Sequence, residues 1–81
     1  MADILWSRAA ERELASLDRV VAGRVLEAVE RFAASGTGDV KALQGAKGVK
    51  RLRVGDYRVR FESNGDTVTV LHVNHRREAY R

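Results

Sequence analysis

The alternation of apolar and polar positions changes period midway along the chain. "DILW" (Asp3 to Trp6) is a short apolar stretch that predicts a first strand. Ser7 is placed as a helix N-cap, because its hydroxyl can accept from an orphan N–H of the first turn. "RAAERELASL" follows, with Ala10, Leu14 and Leu17 at helical spacing. Asp18 is placed as the cap of a second helix, "RVVAGRVLEAVERFAAS", which carries Val21, Val25, Ala28, Val29 and Phe32 on one face and stops at Gly36. "GTGDVKALQGAKG" reads as a Gly-rich polar connection. Beyond it the period falls to two. Strands are expected over Val49 to Val54, Tyr57 to Ser63 and Asp66 to Asn74, joined by tight turns at Gly55–Asp56 and Asn64–Gly65. The last strand is apolar on both faces, with Val68 and Val70 on one and Leu71 and Val73 on the other, so it should lie inside the sheet. The order β-α-α-β-β-β predicts an α+β fold: a helical hairpin packed on one face of a mostly antiparallel four-stranded sheet.

Composition narrows the class. The 81 residues suit one domain over 1–81, and a hydrophobic content of 44 % argues against disorder. Cysteine is absent, which rules out disulfides and thiolate metal sites and fits a reducing cytoplasm. His72 and His75 are too few for a zinc site by themselves, so neither metal nor cofactor is expected. No apolar run approaches the ~20 residues of a membrane span. The start, "MADILWSRAAERELA", carries acids and lacks the apolar core of a signal peptide. A cytoplasmic protein without membrane partners is expected.

Charge adds a location. The net charge is +4 and the pI about 10.1. Residues 1–40 carry five arginines against seven acids, whereas between Lys41 and Glu62 seven cations face two acids. The positive charge belongs to the C-terminal half, where "LRVGDYRVRF" sets Arg51 and Arg53 on the face opposite Leu52 and Val54. In the same way Arg58 and Arg60 lie opposite Tyr57, Val59 and Phe61. With the apolar side against the helices, four guanidiniums converge on the open side. They repel one another unless an anion binds. The tail adds His75, Arg76, Arg77 and Tyr80 at the rim expected for that face.

This set suits metal-free cleavage of RNA. A base removes the ribose 2′-OH proton, the oxygen attacks the adjacent phosphorus, and an acid protonates the leaving 5′ oxygen. Planar arginine forks stabilise the charge that develops on the phosphoryl oxygens. Arg53, Arg58, Arg76 and Tyr80 are the candidate catalytic residues. Lys50, Arg51, Arg60, His75 and Arg77 are candidate phosphate contacts, although Lys50 has the parity opposite to Arg51 and Arg53. Arg60 is also a candidate for pairing with Glu62 or Glu78. Tyr57 and Trp6 are assigned to the core, and His72, within a strand, is read as structural.

"LRVGDYRVRF", followed by "LHVNHRREAYR" and preceded by "ALQG", resembles the RelE/ParE superfamily of toxins from toxin–antitoxin pairs, and its RelE branch most. The resemblance covers nearly the whole chain and implies the RelE-like toxin fold. It implies an mRNA interferase that cuts mRNA in the ribosomal A site and is silenced by a cognate antitoxin. Operator DNA would be bound only indirectly, through the antitoxin complex. By position, Arg58 matches the arginine of the family's "GYR" strand, Arg51 and Arg53 its basic residues ahead of that turn, Arg76 the arginine of the C-terminal motif, and Tyr80 its terminal tyrosine. The chain departs from the pattern in carrying arginine where members often have lysine on the first hairpin strand, and in stopping just after Tyr80 without a following helix. Arginine is a poor proton-transfer base, so that role falls to Tyr80 or His75. Two alternatives remain: a ParE-like inhibitor of DNA gyrase, and an inactive relic that only binds its antitoxin.

Overall fold

The computed structural model describes residues 2–43 and 48–79. Its elements are β1 (Asp3–Trp6), α1 (Arg8–Ala15), α2 (Arg19–Ser35), β2 (Asp39–Ala42), β3 (Val49–Val54), β4 (Tyr57–Asn64), β5 (Thr67–His75) and a short α3 (Arg76–Ala79). The sheet has five strands, not four, in the order β1-β5-β4-β3-β2. β1 runs parallel to β5 and every other pairing is antiparallel. The additional strand, β2, lies inside the stretch read as a polar connection. Val40 is the only large apolar residue among its four, so it carries no period-two signal. Pairing with β3 holds it at the sheet edge. No helix among the described residues is long and apolar enough to cross a membrane.

α2 packs on one face of the sheet. Val25, Val29 and Ala33 from α2 and Ala10 from α1 meet Leu52, Val59, Phe61, Val68, Val70 and Val73, all buried. Trp6 and Tyr57 pack against this core half-buried. The Phe32 and Phe61 rings sit 4.8 Å apart, tilted by 58°. α2 ends where expected: Gly36 adopts φ 73°, and its N–H donates to the Phe32 carbonyl. Asp18 begins α2 without a side-chain cap bond.

Two sequence expectations change here. The β4–β5 turn is Gly65–Asp66, not Asn64–Gly65, because Asn64 still pairs with Thr67. No non-glycine residue among those described has a positive φ. Gly55 (φ 60°) and Gly65 (φ 59°) therefore each open a two-residue loop as the sole left-handed residue, the pattern of a II′ turn. The faces of β5 also change. Arg60 pairs with His72 but Phe61 with Val70, which leaves Leu71 as an extra residue in a bulge. The bulge reverses parity, so Val73 joins Val68 and Val70 in the core instead of facing away from them.

Candidate functional site: a basic sheet face

The register builds the site. Partners across a ladder share a face. Asp39 pairs with Arg53, Arg53 with Arg58, and Arg58 with Asn74, forming one row across four strands. Lys41 pairs with Arg51, Arg51 with Arg60, and Arg60 with His72, forming a second row beside it. Lys41 and the four arginines thus share the face turned away from α2 with two strand acids, Asp39 and Glu62. Lys41 enters through β2, the strand that lacks a sequence signal.

Arg58 departs from the expectation of an open, solvated cluster. It is 8 % exposed, and its Nη1 donates to the carbonyls of Gly55 at 3.0 Å and Tyr57 at 3.1 Å. Arg53 Nε reaches the same Gly55 carbonyl at 3.4 Å. Asp56, the other residue of that turn, accepts from the Arg76 backbone N–H at 2.7 Å, which docks α3 against it. The side chains of Arg53 and Arg58 and the backbone of Arg76 therefore meet at the one turn Gly55–Asp56. Arg76 and Arg77 are exposed on α3. Tyr80 lies outside the described residues.

Arg60 makes no bond to Glu62, and the Glu78 side chain lies outside the described residues. Its Nη2 donates to Asn74 Oδ1 at 3.1 Å. The Nε atoms of Arg58 and Arg60 are both buried without a hydrogen-bond partner. No described carboxylate lies within ion-pair distance of Arg53, Arg58 or Arg60. A buried donor on a cation without an acceptor is costly.

Two predicted contacts lie elsewhere. Lys50 pairs with Phe61 and so belongs to the helix-side parity. His75 pairs with Tyr57, and the two rings meet edge to face at 5.3 Å. Its Nδ1 accepts from the Arg77 backbone N–H at 3.3 Å. Because Tyr57 alternates with Arg58, His75 stands on the side opposite the arginines.

A group that sequence reasoning passed over borders the face. β1 covers β5 only from Thr67 to Val70. α1 caps the uncovered edge beyond: Ser7 Oγ donates to the Leu71 carbonyl at 2.7 Å, and the Val73 N–H donates to Glu13 Oε1 at 2.9 Å. Glu13 Oε2 accepts from Asn74 Nδ2 at 2.9 Å, and Glu13 Oε1 lies 3.3 Å from His72 Nδ1. Glu13, His72, Asn74 and Arg60 form one connected chain. Helical spacing on α1 gives no hint that Glu13 reaches over a strand edge.

Comparison with known proteins agrees with this architecture. Residues 4–80 match the family model described as the ParE toxin of the type II toxin–antitoxin system, parDE. The curated toxin RelE3 of Methanocaldococcus jannaschii is 43 % identical over 42 residues, which covers 52 % of this chain and about half (48 %) of that relative. The RelB–RelE antitoxin–toxin complex from Methanococcus jannaschii superposes with a TM-score of 0.78 at 28 % identity, covering 94 % of each chain. The isolated E. coli RelE toxin gives a TM-score of 0.79 at 16 % identity, over 99 % of this chain and 96 % of that one, a likeness of fold alone. With nearly its full length matched and its fold shared, the chain belongs to the ParE toxin family of type II toxin–antitoxin systems, within the RelE/ParE superfamily.

Proposed function

We propose that this toxin is a ribosome-dependent endoribonuclease that cuts mRNA in the A site and that a cognate antitoxin neutralises it. The observation that carries the reading is the pair of cationic rows on one sheet face, where Lys41, Arg51, Arg53, Arg58 and Arg60 outnumber the acids. A gyrase inhibitor has no need of such a set, whereas a phosphodiester in transit to a pentavalent state does. In this scheme Arg58, Arg53 and Arg76 stabilise the phosphoryl oxygens, and no metal is required. Arg51, Arg60, Lys41 and Arg77 hold flanking phosphates. A base takes the 2′-OH proton and an acid protonates the 5′ oxygen; the superfamily resemblance offers Tyr80 for one of these roles. The solved RelB–RelE complex supports the antitoxin reading, under which the antitoxin would cover the arginine face or the tail that completes it. Operator DNA would be met only through that complex.

The test uses purified toxin on programmed ribosomes, with a gyrase supercoiling assay alongside. Cleavage in the A-site codon, reduced about a hundredfold or more in Arg58→Ala and in Arg76→Ala, is the expected result. The superfamily resemblance leaves a second reading open, ParE-like inhibition of DNA gyrase. Intact mRNA with inhibited supercoiling would select it. Neither effect would leave a chain that only binds its antitoxin.

A further inference from the structure

We infer that His72 is the proton-accepting base of this site and that Glu13 is its positioning residue. The inference rests on the RNA-cleavage reading above and assigns the role that reading leaves open. His72 stands directly across the β4–β5 ladder from Arg60, on the arginine face. Its Nδ1 lies 3.3 Å from Glu13 Oε1. The carboxylate is not free to swing, because it also accepts from the Val73 backbone N–H and from Asn74 Nδ2, each at 2.9 Å. A carboxylate held this close to Nδ1 favours the tautomer protonated there. Nε2 then carries the lone pair. The imidazole side chain is 41 % exposed, so a substrate can reach it. Asn74 uses its amide nitrogen on Glu13 and its oxygen on Arg60 Nη2, so one carboxylate sets the base and, through Asn74, the neighbouring guanidinium. Arg60 keeps its Nε as a buried donor without a partner.

The step balances as follows. His72 Nε2 takes the proton of a ribose 2′-OH. The O2′–P bond forms as the P–O5′ bond breaks, and the electron pair of the broken bond leaves on O5′. That oxygen takes a proton from the acid, the role that the superfamily resemblance leaves to the Tyr80 hydroxyl once His72 is the base. Solvent then removes the proton from the imidazolium and restores the one lost by the phenol. The products are a 2′,3′-cyclic phosphate and a 5′-hydroxyl.

The experiment compares the unaltered toxin with His72→Ala, His72→Gln and Glu13→Gln on programmed ribosomes, each checked for folding by circular dichroism. Both His72 variants should cleave about a hundredfold more slowly. Added imidazole should restore part of the His72→Ala rate, which a packing defect would not allow. Glu13→Gln should lower the turnover rate at saturating ribosomes. In the free protein, it should also shift the His72 ring nitrogen resonances away from the tautomer protonated at Nδ1. A folded His72→Ala or His72→Gln toxin that cuts at the unaltered rate overturns the assignment while leaving the RNA-cleavage reading standing. So does a rate loss that tracks lost thermal stability and is untouched by imidazole. If the unaltered toxin leaves mRNA whole, the cleavage reading itself fails and the base falls with it.

Discussion

Arg58 is where folding and chemistry pull in opposite directions. Its guanidinium is buried with no described carboxylate near it, and it braces the hairpin turn through two backbone carbonyls. A hydrogen bond from a charged donor is worth about 1.5–3 kcal/mol. Burying an uncompensated charge costs several kcal/mol. These nearly cancel, so Arg58→Met is expected to change folding stability by no more than about 1 kcal/mol while abolishing cleavage. Urea denaturation of the variant beside the ribosome assay checks both halves. A large stability loss would make Arg58 a clamp for the Gly55–Asp56 turn. Strand parity alone puts Arg58 on the face with Arg53 and Arg60, and that much was legible in the sequence. Its burial was not, because burial depends on what lies over the residue and alternation speaks only of sides. His75 shows the converse limit. Its place just after a strand invites the rim of the arginine face, yet one step of parity sends its ring to Tyr57.

At the scale of elements, the edges of the sheet decide most of what sequence reading missed. β2 is short and polar, and only its ladder with β3 makes it a strand. Without it Lys41 looks like a loop cation; with it Lys41 stands beside Arg51. If that row holds single-stranded RNA phosphates, each neutralised phosphate contributes about −0.7 to the slope of log K against log salt. Lys41→Ala should therefore reduce the slope by about 0.7 and weaken binding evenly across RNA sequences. Filter binding at several salt concentrations reads this directly, and an unchanged slope would remove Lys41 from the interface. On the opposite side of the molecule, α1 substitutes for a strand where β1 runs out. Ser7 serves twice: its Oγ accepts from the Ala10 N–H at 3.0 Å and donates to the Leu71 carbonyl at 2.7 Å. Ser7→Ala should cost about 1–2 kcal/mol, toward the upper end for a lost cap because a second backbone group loses its partner. The cap itself was readable from "WSRAAE". The bulge at Leu71 that Ser7 meets was not, since a single inserted residue leaves no mark in a strand whose two faces are both apolar.

Over the whole molecule, one face of the sheet is spent on an apolar core and the other on a surplus of positive charge. The helical hairpin, the three C-terminal strands and the side on which the arginines gather all follow from periodicity. The cation surplus of the C-terminal half points to an anionic ligand before any coordinates are known. The exception is register, which aligns two rows across four strands and depends on the turns and the bulge. This arrangement makes the free toxin sensitive to anions in a way that separates two physical effects. Simple screening relieves repulsion among the cations with any salt, and does so more as the Debye length falls from about 30 Å at 0.01 M to about 10 Å at 0.1 M. A phosphate bound by the Arg58 and Arg60 guanidiniums would add a mass-action term on top. At ten times its Kd that term is about 1.4 kcal/mol, a Tm rise of roughly 6–11 °C for a domain of this size. We expect phosphate to raise Tm beyond chloride at matched ionic strength, and Arg58→Met to lose that excess while keeping the response to chloride. Phosphate also strengthens burial in proteins generally, by exclusion from the surface, but that contribution would persist in the variant. If the excess persists undiminished in Arg58→Met, these two arginines are not the seat of an anion. The arginine row would then act on RNA only as a diffuse positive field.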